Sequence, residues 1–419
     1  MTVTAILGAR VFDGEKSLGV SNVLIDAERI TAVGREAPSG AELVDGGGAT
    51  LLPGLIDAHV HTDQQSLALA LRFGVTTELE MAGVNTRDKQ ADLTCNDTLA
   101  DVRSAGPPIT PPGGHPSELF PEDFEWPPPP GEGEPAPLLP FATTPEEAAA
   151  LVPELLARGS DYIKFMIDDG SIEGHRGLPI LDQATLNAGV AEARKYGALT
   201  VAHALTIDTV RMALEAGVDG LVHIFMDQPH TDEIIAQIKD AGVFVVPCTT
   251  VNASMMGVTG VALADDPRVA SRLEEDWDRT LRSSFNRYPQ GDLQSVLNTV
   301  KALHDVGVDV MCGTDSALPV TFLGGLAHGA SLHQELQYLV QAGLTPSQAL
   351  RAATATTARC FRLPDRGRIA EGLRADLLLV EGDPTTTIAD TLRTRAVWRR
   401  GTRLATAWPQ PGTNVDDRS

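Results

Sequence analysis

The chain has 419 residues, a formal net charge of −23 and 42% hydrophobic residues. That length suits one elaborated barrel, or one large domain with a smaller companion, and the hydrophobic share supports a sizeable core. The acidic balance argues against nucleic acid and anionic membrane as partners, because both attract basic surfaces. Four cysteines, Cys95, Cys248, Cys312 and Cys360, lie far apart without a CxxC pair. They predict free, mostly buried thiols in a reducing compartment. Residues 1–8 lack a basic stretch leading into a cleavable apolar core, and no apolar run is long enough to span a bilayer. The expectation is a cytoplasmic protein, a homo-oligomer that handles a small molecule.

Residues 3–52 read as short strands and turns. Thr4–Leu7, Asn22–Asp26 and Arg29–Val33 are β-prone, and Gly14, Gly34 and Gly46-Gly47-Gly48 punctuate them. From Leu55 the pattern becomes strand, helix, strand, helix, which predicts a parallel sheet covered by helices. Strands are expected at Ala58–His61, Thr76–Met81, around Pro108–Thr110, and at Asp161–Ile167, Leu199–Ala204, Gly220–Phe225, Val243–Pro247 and Val308–Gly313. Thr144-Pro145-Glu146-Glu147 is a helix start, with a Thr cap, Pro in the first turn and acids that suit the dipole. Further helices are expected at 183–196, 207–216, 232–241, before Gly307, at 331–342 and at 346–357.

The fold expected is α/β, a (β/α)8 TIM-like barrel over residues 55–363. Residues 1–54 and 364–419 supply a small composite β-sandwich, since neither end has enough apolar surface to fold alone. Two insertions interrupt the barrel. The Pro- and Gly-rich segment 106–140 falls at the C-terminal rim, where barrel loops build active sites, and reads as a lid or wall. The segment 249–289 is expected to be partly helical and to overhang the same rim.

The polar residues that carry chemistry sit near the C-terminal ends of these strands. In Pro53-Gly54-Leu55-Ile56-Asp57-Ala58-His59-Val60-His61, residues two apart on a strand point to one face, so His59 and His61 project together. Lys164 lies in an apolar strand, His203 and His223 on the two strands that follow, and Asp315 after the last. Each alone has a plainer reading. A lone buried histidine is commonly a hydrogen-bonded core residue, and a lysine stem can pack while its amine reaches solvent. Their shared register on successive strands is what stands out.

With Gly74-Val75-Thr76-Thr77, Asp161-Tyr162-Ile163-Lys164, Val201-Ala202-His203-Ala204, Gly313-Thr314-Asp315-Ser316 and Gly372-Leu373-Arg374-Ala375-Asp376-Leu377, these stretches span nearly the whole chain. Together they resemble the amidohydrolase superfamily, in the binuclear metal branch of imidazolonepropionase-like and Xaa-Pro dipeptidase-like hydrolases. The resemblance implies that His59, His61 and Asp315 hold one divalent ion and His203 and His223 a second. Lys164, carbamylated by CO2, would bridge them. Zinc is the first expectation, with Mn, Fe or Co open. The reaction implied is cleavage of an amide or other C–N bond by a metal-bridging hydroxide, with Asp315 as the catalytic proton carrier.

Weaker candidates surround this set. His115, in Gly113-Gly114-His115, and His333, in Leu332-His333-Gln334-Glu335, match the pattern of relatives and are candidate substrate contacts. His175 and Arg176 could meet a substrate carboxylate from the loop 170–179, or be solvated loop residues. Glu80 could orient a ligand from behind. His230, His304 and His328 read as surface or helix positions. Other reactions also fit such a site: hydrolysis of an ester, lactone or phosphotriester, or oxidation with iron. A metal-free binding scaffold is a further alternative, though a scaffold has no reason to keep two buried histidine pairs and a buried lysine.

Overall fold

The computed structural model describes residues 3–83, 87–119, 138 and 140–405. Trp126, the four prolines after it and the polar tail from Gly412 lie outside these residues. The N-terminal stretch forms β1 (Thr4–Phe12), β2 (Ser17–Asp26), β3 (Arg29–Val33), β4 (Glu42–Asp45) and β5 (Ala49–Pro53). β1 runs five residues beyond the expected Leu7. It passes Gly8, whose φ of 66° falls where the register with β2 shifts, so glycine absorbs a bulge that would otherwise end the strand.

Pro53-Gly54 ends this unit, and the alternating pattern begins. β6 (Leu55–Val60), β7 (Val75–Glu80) and β8 (Asp101–Ser104) form a parallel three-stranded sheet. β9 (Ile163–Met166), β10 (Thr200–His203), β11 (Gly220–Val222) and β12 (Phe244–Val246) form a parallel four-stranded one. Nearly every residue in them is buried, as expected where helices cover a parallel sheet. Most of the helices between them bury one apolar stripe. The helix Asp232–Ala241, for example, buries Ile234, Ile235 and Ile238, is capped by Thr231 and stops at a left-handed Gly242. The helix Pro145–Arg158 is capped by Thr144 and ends at Gly159, as read from its sequence.

Isolated parallel bridges join these sheets. Ile109 bridges to Phe165, Val245 to Val310, and Val60 to Ser316. Ala58 N–H donates to the Cys312 carbonyl and Asp315 N–H to the His59 carbonyl. Gly313 permits this approach, because a Cβ there would lie 2.5 Å from Val246 Cγ1 and 2.9 Å from His59 N. Two expectations change. The strand after β7 is Asp101–Ser104, not the stretch around Pro108–Thr110, which makes bridges alone; charges at Asp101 and Arg103 hide its apolar pattern. The segment Val308–Gly313 pairs through Val310 rather than as a regular strand. After β12 the chain is partly helical, with helices Thr249–Met255, Val261–Ala264, Pro267–Ala270 and Glu275–Leu281.

β13 (Leu377–Glu381), β14 (Thr394–Arg399) and β15 (Thr402–Arg403) return to the first unit. One eight-stranded mixed sheet results, in the order β15-β14-β13-β5-β1-β2-β3, with β4 beside β1. β5 and β13 pair antiparallel and divide their side chains between two cores. Leu51, Leu377 and Leu379 join the sheet's own core with Ile6, Val11 and Trp398, while Leu52, Leu378 and Val380 join the large core under the parallel strands. Buried charge completes the seam. Asp101 at the start of β8 pairs with Arg366 and with Arg374, 2.9 Å away, and Arg399 is 3.6 Å away. No helix among the described residues is long and apolar enough to cross a membrane.

Candidate metal centre

Each strand delivers its polar residue where pairing stops. His59 is the fifth residue of β6 and is fully buried, and His61 follows two residues on, on the same side and 28% exposed. Lys164 lies within β9, His203 ends β10, His223 follows β11, and Asp315 follows the Val310 bridge. Asp315 Oδ1 lies 3.2 Å from His59 Nε2 and 3.0 Å from His61 Nε2, and its Oδ2 lies 3.8 Å from His223 Nε2. Lys164 Nζ is 3.3 Å from His59 Nε2. The rings of His59 and His223 have centroids 4.6 Å apart, and those of His203 and His223 4.5 Å. All six residues read as ligands from the sequence therefore meet in one cluster. Among the described residues, His59, His61 and Asp315 form one group whose ligand atoms could share an ion.

Burial sets the protonation of this cluster. His59 is pulled down to about 3, first by burial and then by the Lys164 charge. His203 and His223 also fall well below the ordinary histidine range, mainly through burial. Neutral imidazoles with free lone pairs are the form a metal takes. Burial would raise Asp315, but His59, His61 and His223 outweigh it and hold the carboxyl well below its usual range. Burial draws Lys164 down to about 8 against the attraction of Asp315.

Behind the cluster, Asp57 accepts from His59 N–H (3.2 Å), Thr314 N–H (3.0 Å) and Thr314 Oγ1 (2.7 Å). It thereby ties β6 to the turn that carries Asp315. His223, Cys248 and Asp315 have φ of 77°, 50° and 63°. Left-handed backbone in non-glycine residues costs about 1–2 kcal/mol each, and here it turns side chains into the cluster at strand ends.

The weaker candidates separate. His115 joins the cluster, with its ring centroid 4.5 Å from that of His203 and its Nδ1 2.6 Å from Glu118 Oε1. His333 does not. Its Nε2 bonds the Phe73 carbonyl (2.9 Å) and its Nδ1 the Thr391 hydroxyl (2.8 Å), so neither ring nitrogen is left for a substrate. His175 and Arg176 are exposed on their loop. Glu80 is buried against the Ser104 hydroxyl. His328, expected at a surface or helix position, is fully buried, with Nδ1 2.8 Å from Glu78 Oε1. The cysteines divide evenly: Cys248 and Cys312 are buried, Cys360 is half-buried and Cys95 is exposed.

Sequence reasoning passed over four residues that the cluster contains. Asp168 Oδ2 lies 3.1 Å from His203 Nε2. Glu173 forms a possible ligand group with His115 and His203. Glu118 holds His115. Cys248 Sγ lies 3.4 Å from His59 Nδ1. The acids had one signal, the carboxylates that crowd the turn Asp168-Asp169-Gly170 straight after the lysine strand. Cys248 had none beyond its place after an apolar strand.

The family model for the amidohydrolase family matches residues 50–404. The chain belongs to the amidohydrolase family. Its matched region holds every residue of the cluster. An uncharacterized protein of Mycobacterium bovis (strain ATCC BAA-935 / AF2122/97) is 26% identical over 362 residues, 84% of each chain. An adenine deaminase of Lysinibacillus sphaericus (strain C3-41) is 34% identical over 84 residues, which are 20% of this amidohydrolase and 13% of the deaminase. The chain thus spans far less than two thirds of that relative. A crystal structure of a Xaa-Pro dipeptidase with bound methionine in the active site superposes with a TM-score of 0.72 at 22% identity, covering 97% of this chain and 100% of the other. That likeness carries the fold, α/β and TIM-like.

Proposed function

We propose that this amidohydrolase is a metal-dependent hydrolase that cleaves an amide, peptide-like or N-acyl C–N bond. The observation that carries the reading is the convergence of His59 Nε2 and His61 Nε2 on Asp315 Oδ1, at 3.2 and 3.0 Å, beside a buried lysine. The donor set suits divalent ions: imidazoles kept neutral, one ionised carboxylate, and a buried His223 Nδ1 without a partner among the described residues. His59, His61 and Asp315 would hold one ion and His203 and His223 the other. Lys164, as a carbamate, would reach both. Zinc is the first choice, with Mn, Fe or Co open. In the same reading, residues 55–363 are a closed (β/α)8 barrel, and both chain ends make the composite sandwich.

When bound, the ions supply an activated water and polarise the scissile carbonyl. The chain does the rest. His61 and Asp315, 28% and 19% exposed, form the open side of a cluster whose other members are buried, so substrate enters past them. Asp315 Oδ1 groups with the His59 and His61 nitrogens, so Oδ2, 3.8 Å from His223 Nε2, would take the proton of the attacking water and deliver it to the leaving nitrogen. Asp168, at His203 Nε2, holds that ring in place and leaves Nδ1 as the nitrogen that would meet an ion.

The test is metal analysis followed by an activity screen of the metal-loaded protein. The panel covers N-acyl amino acids, dipeptides, aryl amides, lactones and organophosphates. Two equivalents of metal with turnover of an amide support the reading. Turnover confined to lactones or phosphotriesters would move the reaction to the same site's alternative chemistry. A chain that binds no metal would be a scaffold.

A further inference from the structure

The side of the cluster around His203 carries acids that metal ligation leaves unused. Glu118, on the turn after His115, gives Oε1 to His115 Nδ1. Asp168 gives Oδ2 to His203 Nε2 and Oδ1 to the Gly170 N–H. Glu173 lies on the loop after β9, close enough to His115 and His203 for one ligand atom of each to fall within 4.8 Å of the others. Burial pushes Glu173 up to about 8 against the attraction of His115, and Asp168, Glu118 and Asp315 add to the rise. Three acids thus surround His115: burial would lower it, but Glu118, Glu173 and Asp168 outweigh burial and push it up to about 9.

These side chains are nine-tenths or more buried: His115 and Glu118 are 5% exposed, Glu173 4% and Asp168 1%. Once their pairings are counted, Glu118 Oε2 and Glu173 Oε2 remain buried without a hydrogen-bond donor among the described residues. A buried carboxylate oxygen without a donor is destabilising, and here two of them lie on rim loops beside the reacting position. Neither oxygen has a donor among the described residues, and a substrate entering past the rim can supply one. An anionic group would meet the Glu118 and Asp168 carboxylates, and the one cation there, His115, is already engaged by Glu118. A metal ion fits poorly, because Asp168 occupies His203 Nε2 and an ion at this triad would need the same imidazole twice.

We infer that the substrate carries a cationic nitrogen, a primary ammonium or a guanidinium, seated between Glu118 and Glu173 while its scissile bond lies over the metal cluster. This inference rests on the hydrolase reading of that cluster. The cation supplies N–H donors to both free oxygens, interactions that a neutral alkyl group of the same shape lacks. Glu118 holds His115 with its other oxygen, so the pocket wall is fixed before substrate arrives.

The experiment uses the full, metal-loaded chain. Calorimetric binding is measured for ω-amino amides of increasing length, against alkyl amides of matched shape and ω-carboxy amides. Turnover of each probe is followed separately. The best ammonium probe should bind about 10- to 100-fold more tightly than its alkyl isostere. Glu173→Gln and Glu118→Gln should each erode that ratio while the metal content holds. Equal binding of the isosteres by the unmutated protein would overturn the inference, whether or not the variants fold. So would a third metal equivalent that Glu173→Gln removes. An ammonium preference without turnover of any probe would count against the hydrolase reading while still supporting a cation seat between Glu118 and Glu173.

Discussion

Carbamylation of Lys164 needs a neutral amine, which gives the bridge proposal a measurable pH signature. An unperturbed lysine near 10.4 is neutral in only about 0.04% of molecules at pH 7. Burial brings Lys164 down to about 8. At that value about 10% is neutral at pH 7, a gain of roughly two hundred-fold in the form that attacks CO2. The perturbation is removal of metal and CO2, followed by reconstitution with Zn2+ at constant dissolved CO2 across a pH series. The protonated amine is unreactive, so the rate of reactivation should fall about tenfold for each unit below pH 8 and level off above it. A rate flat with pH, or still climbing toward pH 10, would refute the assignment. Lys164→Ala should lose metal and activity together, with partial recovery on adding short carboxylates. Full activity in that variant would end the bridge.

Asp315→Asn should abolish turnover while most of the metal stays, because the amide keeps an oxygen ligand but cannot carry the proton; retained turnover would remove Asp315 as the proton carrier. Asp101→Asn should destabilise the fold by about 3–5 kcal/mol in urea titrations, since it leaves Arg366, Arg374 and Arg399 buried without their shared anion. Burial opposes ionisation of Asp101, but Arg366, Arg103 and Arg374 outweigh it and hold the carboxyl far below its ordinary value. Its contribution is therefore fully present above about pH 4 and lost as pH falls toward that depressed value, so the unmutated protein and the variant should converge in stability in strong acid. His333→Phe should lower stability by about 1–3 kcal/mol through the loss of its bonds to Phe73 and Thr391. It should leave KM unchanged; a large KM shift at unchanged stability would return His333 to the substrate.

Much of the cluster was legible because strand periodicity is local. His59 and His61 fall on one face by spacing alone, and His203 and His223 each close a short apolar run. What was illegible depends on partners distant in sequence. Asp101–Ser104 does not read as a strand until Arg366 and Arg374 arrive to neutralise Asp101. His328 sits in a glycine-rich turn, and Glu78 on β7 with the Ala317 carbonyl explains its burial. Glu118 and Glu173 belong to irregular loops, where no period predicts which side chain turns inward.

The pairing of β5 with β13 has a consequence for how the chain is made. β5 leads directly into the strand that carries His59 and His61, yet one of its two neighbours, β13, is encoded more than three hundred residues later. During synthesis β5 must wait with one edge open and Leu51 and Leu52 uncovered until residues 377–399 leave the ribosome. The strand that leads into the candidate metal centre is thus completed late in translation, and any stall before residue 377 leaves a hydrophobic edge available to other chains.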